Sequence, residues 1–237
     1  GEHLCDYMNN LKYGINRYKK FLWNKNYNFF KVGSPKMDYA FNNFKKIKSL
    51  NKKKTITFLT GSLKKRNHYY FGNLRDDVKH SFWRLNIKIF NILAKYQEKY
   101  NIIIKDYPDG QKRIWKDLII DTKSHNIKYI SNEYNVAEIV NNSDLIVLPW
   151  FSTTFFESLY SNSDVFILEK ELIEEFKDKK FTNEIYIHDD ENVFLSELDN
   201  YMSKGIFNQK KKDYCREYFL NYSMFNKRDV NLNKVLN

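Results

Sequence analysis

A group of hydroxyl side chains follows a short apolar run in the second half of the chain. The run, Leu145–Leu148, has the composition of a buried strand. Ser152, Thr153 and Thr154 come shortly afterwards and open a predicted helix that carries Glu157. The first turn of a helix has unpaired backbone N–H groups and the positive end of the helix dipole. This segment is therefore suited to bind a phosphate group.

The same residues also have a purely structural interpretation. Thr154 and Glu157 match the capping box, in which a hydroxyl and a carboxylate three residues apart each accept from a backbone N–H of the first turn. Capping explains Glu157 without a ligand, although its carboxylate could also accept from a ribose hydroxyl. Because capping needs only one of the three hydroxyls, phosphate binding stays open beside it.

A second candidate loop follows the predicted strand Thr55–Leu59. It begins at Thr60 and offers a glycine that lets backbone N–H groups approach a ligand, a hydroxyl and three cations. These residues are Gly61, Ser62, Lys64, Lys65 and Arg66. The loop does not match G-x-G-x-x-G, and we expect no acidic residue at the end of the next strand, so the dinucleotide-binding fingerprint is absent. A phosphate site and a solvated surface turn both fit.

The third candidate loop follows the predicted strand Ile102–Ile104. Lys105 could meet a phosphate, and Tyr107 could stack on a base or a sugar. Pro108 and Gly110 fix a turn at this strand end. An ordinary strand-to-helix turn with an exposed aromatic residue is the alternative interpretation.

The elements that carry these loops alternate between strand and helix from Thr55 onwards. Strands are predicted at Thr55–Leu59, Ile102–Ile104, Ile127–Ile130, Leu145–Leu148, Val165–Leu168 and Ile185–Ile187. Helices are predicted at about 79–100, 112–123, 136–141, 152–161, 171–176, 191–202 and 209–220. This alternation predicts an α/β fold with a Rossmann-like, doubly wound parallel sheet. Right-handed crossovers would then bring the three loops to one edge of the sheet.

Residues 1–50 differ from the rest of the chain. Apolar residues recur there at helical spacing, which predicts an N-terminal helical extension or the end of a preceding domain. Lys45–Lys54 is basic and poor in apolar residues, which is typical of a linker. We therefore predict two regions, 1–50 and a nucleotide-binding domain at 51–237 that ends in a helix.

Composition narrows the class of protein. The chain has 237 residues and a hydrophobic fraction of 42%, which argues against disorder. Two cysteines and five scattered histidines predict no metal site and a reduced, cytoplasmic compartment. The net charge of +11 fits nucleic acid, an anionic membrane or a phosphorylated substrate. Since no nucleic-acid recognition motif is present, we expect no specific nucleic-acid partner.

Three passages carry a family resemblance, namely I-I-I-K-D-Y-P, N-N-S-D-L-I-V-L and S-T-T-F-F-E-S-L-Y-S-N. Together they resemble the C-terminal, nucleotide-binding half of GT-B-type transferases of bacterial surface carbohydrates, including capsule and lipopolysaccharide glycosyltransferases. Gly33-Ser34-Pro35 resembles the passage that enters this domain. Two departures exist: Tyr107 stands where many of these proteins have His, and Glu157 has Val165 rather than Glu eight positions on.

The resemblance implies an enzyme of the glycosyltransferase type and its site. It implies that Lys105, Tyr107 and Pro108, with Ser152, Thr153 and Thr154, hold the nucleotide and phosphates of an activated sugar or polyol phosphate. No cofactor is implied, and the acceptor would be a surface glycan or a lipid-linked glycan. The enzyme would work in the cytoplasm, with peripheral contact with the inner membrane. It assigns no catalytic base to this chain.

Two other functions remain open at this point. The chain could be a non-catalytic α/β module that binds a nucleotide or a partner protein. It could also be a basic protein that binds nucleic acid through charge alone.

Overall fold

The computed structural model describes residues 53–60, 76–106, 112–130, 134–169, 179–207 and 210–220. Within them lies a six-stranded sheet with helices in the connections. The strands are β1 (Thr55–Leu59), β2 (Asn101–Lys105), β3 (Ile127–Ile130), β4 (Leu145–Leu148), β5 (Asp164–Leu168) and β6 (Tyr186–His188). The helices are α1 (Asp76–Lys95), α2 (Lys112–Asp121), α3 (Val136–Asn141), α4 (Thr153–Tyr160), α5 (Lys179–Glu184), α6 (Glu191–Lys204) and α7 (Asp213–Leu220).

The strands lie in the order β3-β2-β1-β4-β5-β6, and every pairing is parallel. This is the doubly wound order, in which the chain moves outwards in one direction from β1 and in the other direction from β4. Helix α1 packs on α6, while α4 packs on α3, so helices cover both faces of the sheet. The predicted α/β fold is confirmed.

Burial explains why the two central apolar runs form strands. Every residue of β4 and of β5 is buried, as expected for strands covered by helices on both faces. On the face covered by α1 and α2, Trp115 is completely buried and packs edge-on against Phe58 of β1, with ring centroids 5.9 Å apart. The rings of Trp83 and Phe90 from α1 complete this aromatic core.

Several helix boundaries differ from those predicted. Helix α1 begins at Asp76 and ends at Lys95, because residues 96–100 form turns instead of a further helical turn. Helix α5 was not predicted, since its only buried residue is Phe181 and its apolar periodicity is therefore weak. The helix predicted at 171–176 and the helical extension predicted at 1–50 lie outside the described residues.

Contacts along the chain group its residues into two compact units. One unit, Lys46–Lys211, contains the whole sheet and helices α1 to α6. The other combines Gly1–Lys45 with Lys212–Asn237 and contains α7. In the part of the chain that the structure describes, no helix combines the length and the apolar character that a membrane span requires.

Candidate functional site

The sheet reverses its strand order between β1 and β4, which are direct neighbours. The connections that leave these two strands run to opposite faces of the sheet, so a crevice opens between them at the carboxyl ends. Thr60 follows β1 at this point, and Pro149 follows β4. The described starts of two of the three candidate segments, at Thr60 and Pro149, therefore flank the place where doubly wound proteins bind ligands.

Helix α4 begins at this crevice. Its N-cap is Ser152, whose backbone is extended (φ −148°, ψ 176°) and whose carbonyl accepts from the N–H of Phe155 at 3.0 Å. The Ser152 hydroxyl makes no capping hydrogen bond; it pairs instead with the hydroxyl of Thr154, at 2.5 Å. The predicted capping box of Thr154 and Glu157 is therefore wrong, because Thr154 is already the second residue of the helix.

The turn that leads into α4 is fixed on two sides. The N–H of Phe151 donates to Oε2 of Glu169 at 3.1 Å, and the N–H of Glu169 donates to the carbonyl of His188 at 2.8 Å. On the other side, the ring of Trp150 stacks on Phe82 of α1, with centroids 4.8 Å apart. The start of α4 is thus tied to the ends of β5 and β6 and to the helix that follows β1.

Two predicted site residues interact in the interior. Lys105 ends β2 and is 4% exposed, and Glu157 lies on α4 and is 3% exposed. Burial lowers the pKa of Lys105, while the negative charges of Asp106 and Glu157 act in the opposite direction. The Lys105 ammonium also donates to the Asp106 carbonyl at 3.2 Å. The buried Glu157 therefore acts on Lys105 as a second negative charge, after Asp106, a role that its sequence position did not reveal.

A buried carboxylate joins the ends of three strands. Oδ1 of Asp106 accepts from the Thr60 hydroxyl at 2.7 Å, and Oδ2 accepts from the hydroxyl of Tyr129 at 3.3 Å. The N–H of Thr60 also donates to the carbonyl of Lys105 at 3.0 Å. We call Thr60, Asp106 and Tyr129 the strand-end cluster. It fixes the first residue of the β1 loop to the ends of β2 and β3.

Asp106 corrects the expectation that no acidic residue ends the strand after β1. It directly follows Lys105, the last residue of β2. The predicted strand stopped at Ile104, which placed Asp106 in a turn. An acidic residue immediately after a buried strand was the signal that could have identified it. Its carboxylate binds protein hydroxyls, so here it organises the crevice.

The remaining predicted site residues divide by their place in the chain. The structure describes four of them with their side chains, namely Lys105, Ser152, Thr154 and Glu157. For Thr153 it describes the backbone, which lies in α4. Those that lie outside the described residues are Gly61, Ser62, Lys64, Lys65, Arg66, Tyr107 and Pro108. Among the described residues, no group of His, Cys, Asp and Glu side chains is arranged to hold a metal ion.

Comparison with known proteins identifies the fold. No protein-family model matches the chain, and no curated protein matches it significantly. The structure of S. aureus TarM, solved with fondaparinux, alpha-GlcNAc-glycerol and UDP, aligns with a TM-score of 0.53 and 12% identity. The alignment covers 99% of this chain and 45% of TarM. The chain has the fold of this part of TarM.

Two further structures are similar at lower scores. A glycosyltransferase from Rickettsia africae is 13% identical, with 98% of this chain and 53% of that chain covered and a TM-score of 0.49. The C-terminal domain of the group 1 glycosyl transferase LpcC from Francisella tularensis is 11% identical, with 80% and 94% covered and a TM-score of 0.47. The chain thus spans about half the length of TarM and of the Rickettsia africae protein.

The geometry of α4 predicts that Ser152 contributes little to stability. We expect Ser152→Ala to lower the free energy of unfolding by less than about 0.5 kcal/mol, because the hydroxyl caps no N–H group and its partner, the partly buried Thr154 hydroxyl, can bond to water instead. Asp190→Ala should cost about 1 kcal/mol, since Oδ1 of Asp190 accepts from the N–H groups of Asn192 and Val193 at the start of α6. Urea unfolding gives the free energy of unfolding of both variants. Equal losses of stability would contradict the assignment of Asp190 as a capping residue and of Ser152 as a residue that caps no N–H group.

The strand-end cluster predicts that replacing Thr60 lowers the free energy of unfolding more than replacing Ser152 does. Thr60→Val keeps the shape of the side chain but removes the buried donor to Asp106, so the free energy of unfolding should fall by about 1–3 kcal/mol. Thr182→Val is the matched control, because the Thr182 hydroxyl is exposed and makes a long hydrogen bond of 3.3 Å. If the two variants unfold at the same urea concentration, the Thr60 hydrogen bond is not stabilising.

The surroundings of Tyr129 predict that the free energy of unfolding depends on pH in the alkaline range. Burial, followed by the negative charge of Asp106, raises the pKa of Tyr129 to about 12. Its ordinary value of about 10 applies in the unfolded chain, so the stability it contributes is present below pH 10 and is lost between about pH 10 and 12. Unfolding experiments across this range should show a shallower decline for Tyr129→Phe. An unchanged slope would mean that another group titrates there.

Proposed function

We propose that this chain is the nucleotide-binding part of a glycosyltransferase. It would take a sugar, or a similar polyol phosphate, from a nucleotide-activated donor and transfer it to a surface-glycan acceptor. The observation that carries the proposal is the start of α4, where Ser152 stands at the strand-order reversal and its hydroxyl caps no backbone N–H. A hydroxyl in that position can donate to a phosphate oxygen together with the N–H groups of the helix.

The donor phosphates would bind at the N-terminus of α4. One hydroxyl of the Ser152–Thr154 pair and the hydroxyl of Thr153 would donate to them, and the helix dipole would favour their negative charge. The predicted cations of the β1 loop, Lys64, Lys65 and Arg66, would neutralise the remaining negative charge of the phosphates. The strand-end cluster supports this arrangement, because it fixes Thr60 at the entrance of that loop.

Lys105 would act on the phosphates indirectly. Its ammonium is buried, donates to the carbonyl of Asp106 and is subject to the negative charges of Asp106 and Glu157, which would offset part of its attraction for a phosphate. We therefore assign the main electrostatic attraction to the helix N-terminus and the loop cations. Tyr107 and Pro108 would contribute to the base or sugar subsite.

The chemical step would depend on stabilising the departing nucleotide phosphate. Donors that are already oriented towards developing charge supply the largest part of such catalysis. Here the helix N-terminus and the cations would fill that role, with no cofactor. A base that activates the acceptor is not assigned, since Asp106 and Glu169 accept hydrogen bonds from protein groups and Glu157 is buried.

The partners follow from this chemistry. The donor is a nucleotide sugar, and UDP is the first nucleotide to test, because it is bound in TarM, whose fold the chain shares. The acceptor would be a glycan or a lipid-linked glycan on the cytoplasmic side of the inner membrane.

Calorimetry with CMP, CDP, UDP, GDP and ADP tests the proposal. We expect one nucleotide to bind selectively and its affinity to fall at least about tenfold in Ser152→Ala/Thr154→Ala. The reason is that a hydrogen bond to a charged group contributes about 1.5–3 kcal/mol. Thermal unfolding should be unchanged, which would separate binding from folding.

The control is Thr182→Ala/Ser196→Ala, which removes the same two types of hydroxyl from exposed positions on α5 and α6. It should bind the nucleotide as well as the original chain does. If no nucleotide binds, or if both double variants lose affinity equally, the crevice is not the nucleotide site. A non-catalytic, partner-binding module would then be the better interpretation.

A further inference from the structure

The amino ends of the strands form a continuous surface opposite the crevice. The Asn126 amide donates to Oε1 of Glu98 at 2.9 Å, which joins the turn before β3 to the turn before β2. The Lys99 ammonium donates to the carbonyl of Ser203 at 3.1 Å, which joins that turn to the end of α6. The Asn101 amide donates to the carbonyl of Lys53 at 3.3 Å and adds the start of β1. We call this surface the amino edge.

Positive charge dominates the amino edge. Two of its lysines are paired, Lys54 with Asp144 at 3.2 Å and Lys95 with Asp199 at 3.1 Å. Further lysines accompany them in the described residues of this edge: Lys99, Lys123, Lys128, Lys204 and Lys211. The acidic residues within two positions of those five in the chain are Glu98, Asp121 and Asp213. The surface therefore carries a net positive charge after its ion pairs are formed.

Two exposed isoleucines lie close in the chain to these lysines, Ile120 before Lys123 and Ile206 after Lys204. Ile120 lies in the last turn of α2 and is 68% exposed, and Ile206 follows the end of α6 and is 60% exposed. They are two of the four large apolar side chains that are exposed in the described part of the chain. Gly205, which precedes Ile206, has a φ of +66°, and a Cβ there would lie 2.8 Å from the Lys99 ammonium. Single exposed apolar side chains are ordinary on protein surfaces, but next to lysines they can also enter a lipid interface.

We propose that the amino edge docks on an anionic lipid bilayer. Lysines near an anionic membrane surface each contribute about 1 kcal/mol of attraction, and isoleucines gain free energy by entering the interface between headgroups and acyl chains. Nucleic acid would satisfy the lysines only, because a phosphate backbone offers no apolar environment for the isoleucines. The combination of both residue types favours the bilayer.

This orientation has a consequence for the crevice. The carboxyl ends of the strands would face away from the lipid, at a distance of roughly one strand length, or about 17 Å. A water-soluble ligand could reach the crevice while the chain is bound to the membrane. The docking surface and the proposed nucleotide site would thus be independent, and each can be tested without the other.

Vesicle co-sedimentation of the full chain tests the proposal. One set of vesicles contains phosphatidylcholine alone, and the other contains phosphatidylcholine with about a third phosphatidylglycerol. We expect binding to the anionic set only, with a loss of about tenfold or more in Lys99→Gln/Lys204→Gln, from the contribution of each lysine. The control variant Lys116→Gln/Lys179→Gln removes equal charge from exposed positions in α2 and α5. It should lose far less of the affinity for anionic vesicles.

A second variant separates lipid from other polyanions. Ile120→Ser/Ile206→Ser keeps every charge, so it should weaken vesicle binding several-fold and leave any binding to double-stranded DNA unchanged. Thermal unfolding of all variants controls for misfolding. The proposal is overturned if the serine variant binds anionic vesicles as the original chain does, if the two lysine pairs lose equally, or if DNA binds more tightly than the vesicles.

Discussion

The pairing of β1 with β4 is the constraint on which the rest of the structure depends. These strands come from segments that lie about 90 residues apart, and they align Ile56 with Leu145 and Phe58 with Val147. Polar groups fix the register at their amino ends, where the Thr57 and Ser143 hydroxyls pair at 2.6 Å and the carboxylate of Asp144 accepts from the N–H of Thr55 at 2.9 Å. Because side chains alternate in direction along a strand, a shift of one residue would break these polar contacts and move every side chain of the shifted strand to the opposite face of the sheet. The crevice exists only because this pairing reverses the strand order.

Most of the sheet could be predicted from the sequence, for a simple physical reason. Buried parallel strands such as β4 are continuous apolar runs, and their bounds follow directly from composition. The bounds of helix α6 are equally predictable from the sequence, because Asp190 caps its start and Gly205 caps its end. Helix α5 escaped prediction because only Phe181 is buried there, and a single apolar residue sets no period.

The candidate site was less predictable, because its polar residues acquire their roles from contacts that are distant in sequence. Thr60 lies 46 residues from Asp106. Lys105 lies in β2, whereas Glu157 lies in α4. Local pattern assigned Glu157 to a capping box, which the position of the helix start excludes. The sequence could locate the loops at the carboxyl edge, since that follows from topology alone. It could not say which side chains would be buried and paired with one another.

The two edges of the sheet have opposite electrostatic tendencies that arise from the fold itself. Helices that follow parallel strands bring their positive N-termini to the carboxyl edge and their negative C-termini to the amino edge. This explains Lys95 and Lys204, which lie in the last turns of α1 and α6. Lys128 on the edge strand β3 has a reason of its own, because lysine discourages edge-to-edge association of sheets. Neither rule accounts for the exposed Ile120 and Ile206. These isoleucines are therefore what separates the proposed docking surface from the ordinary charge pattern of a doubly wound domain.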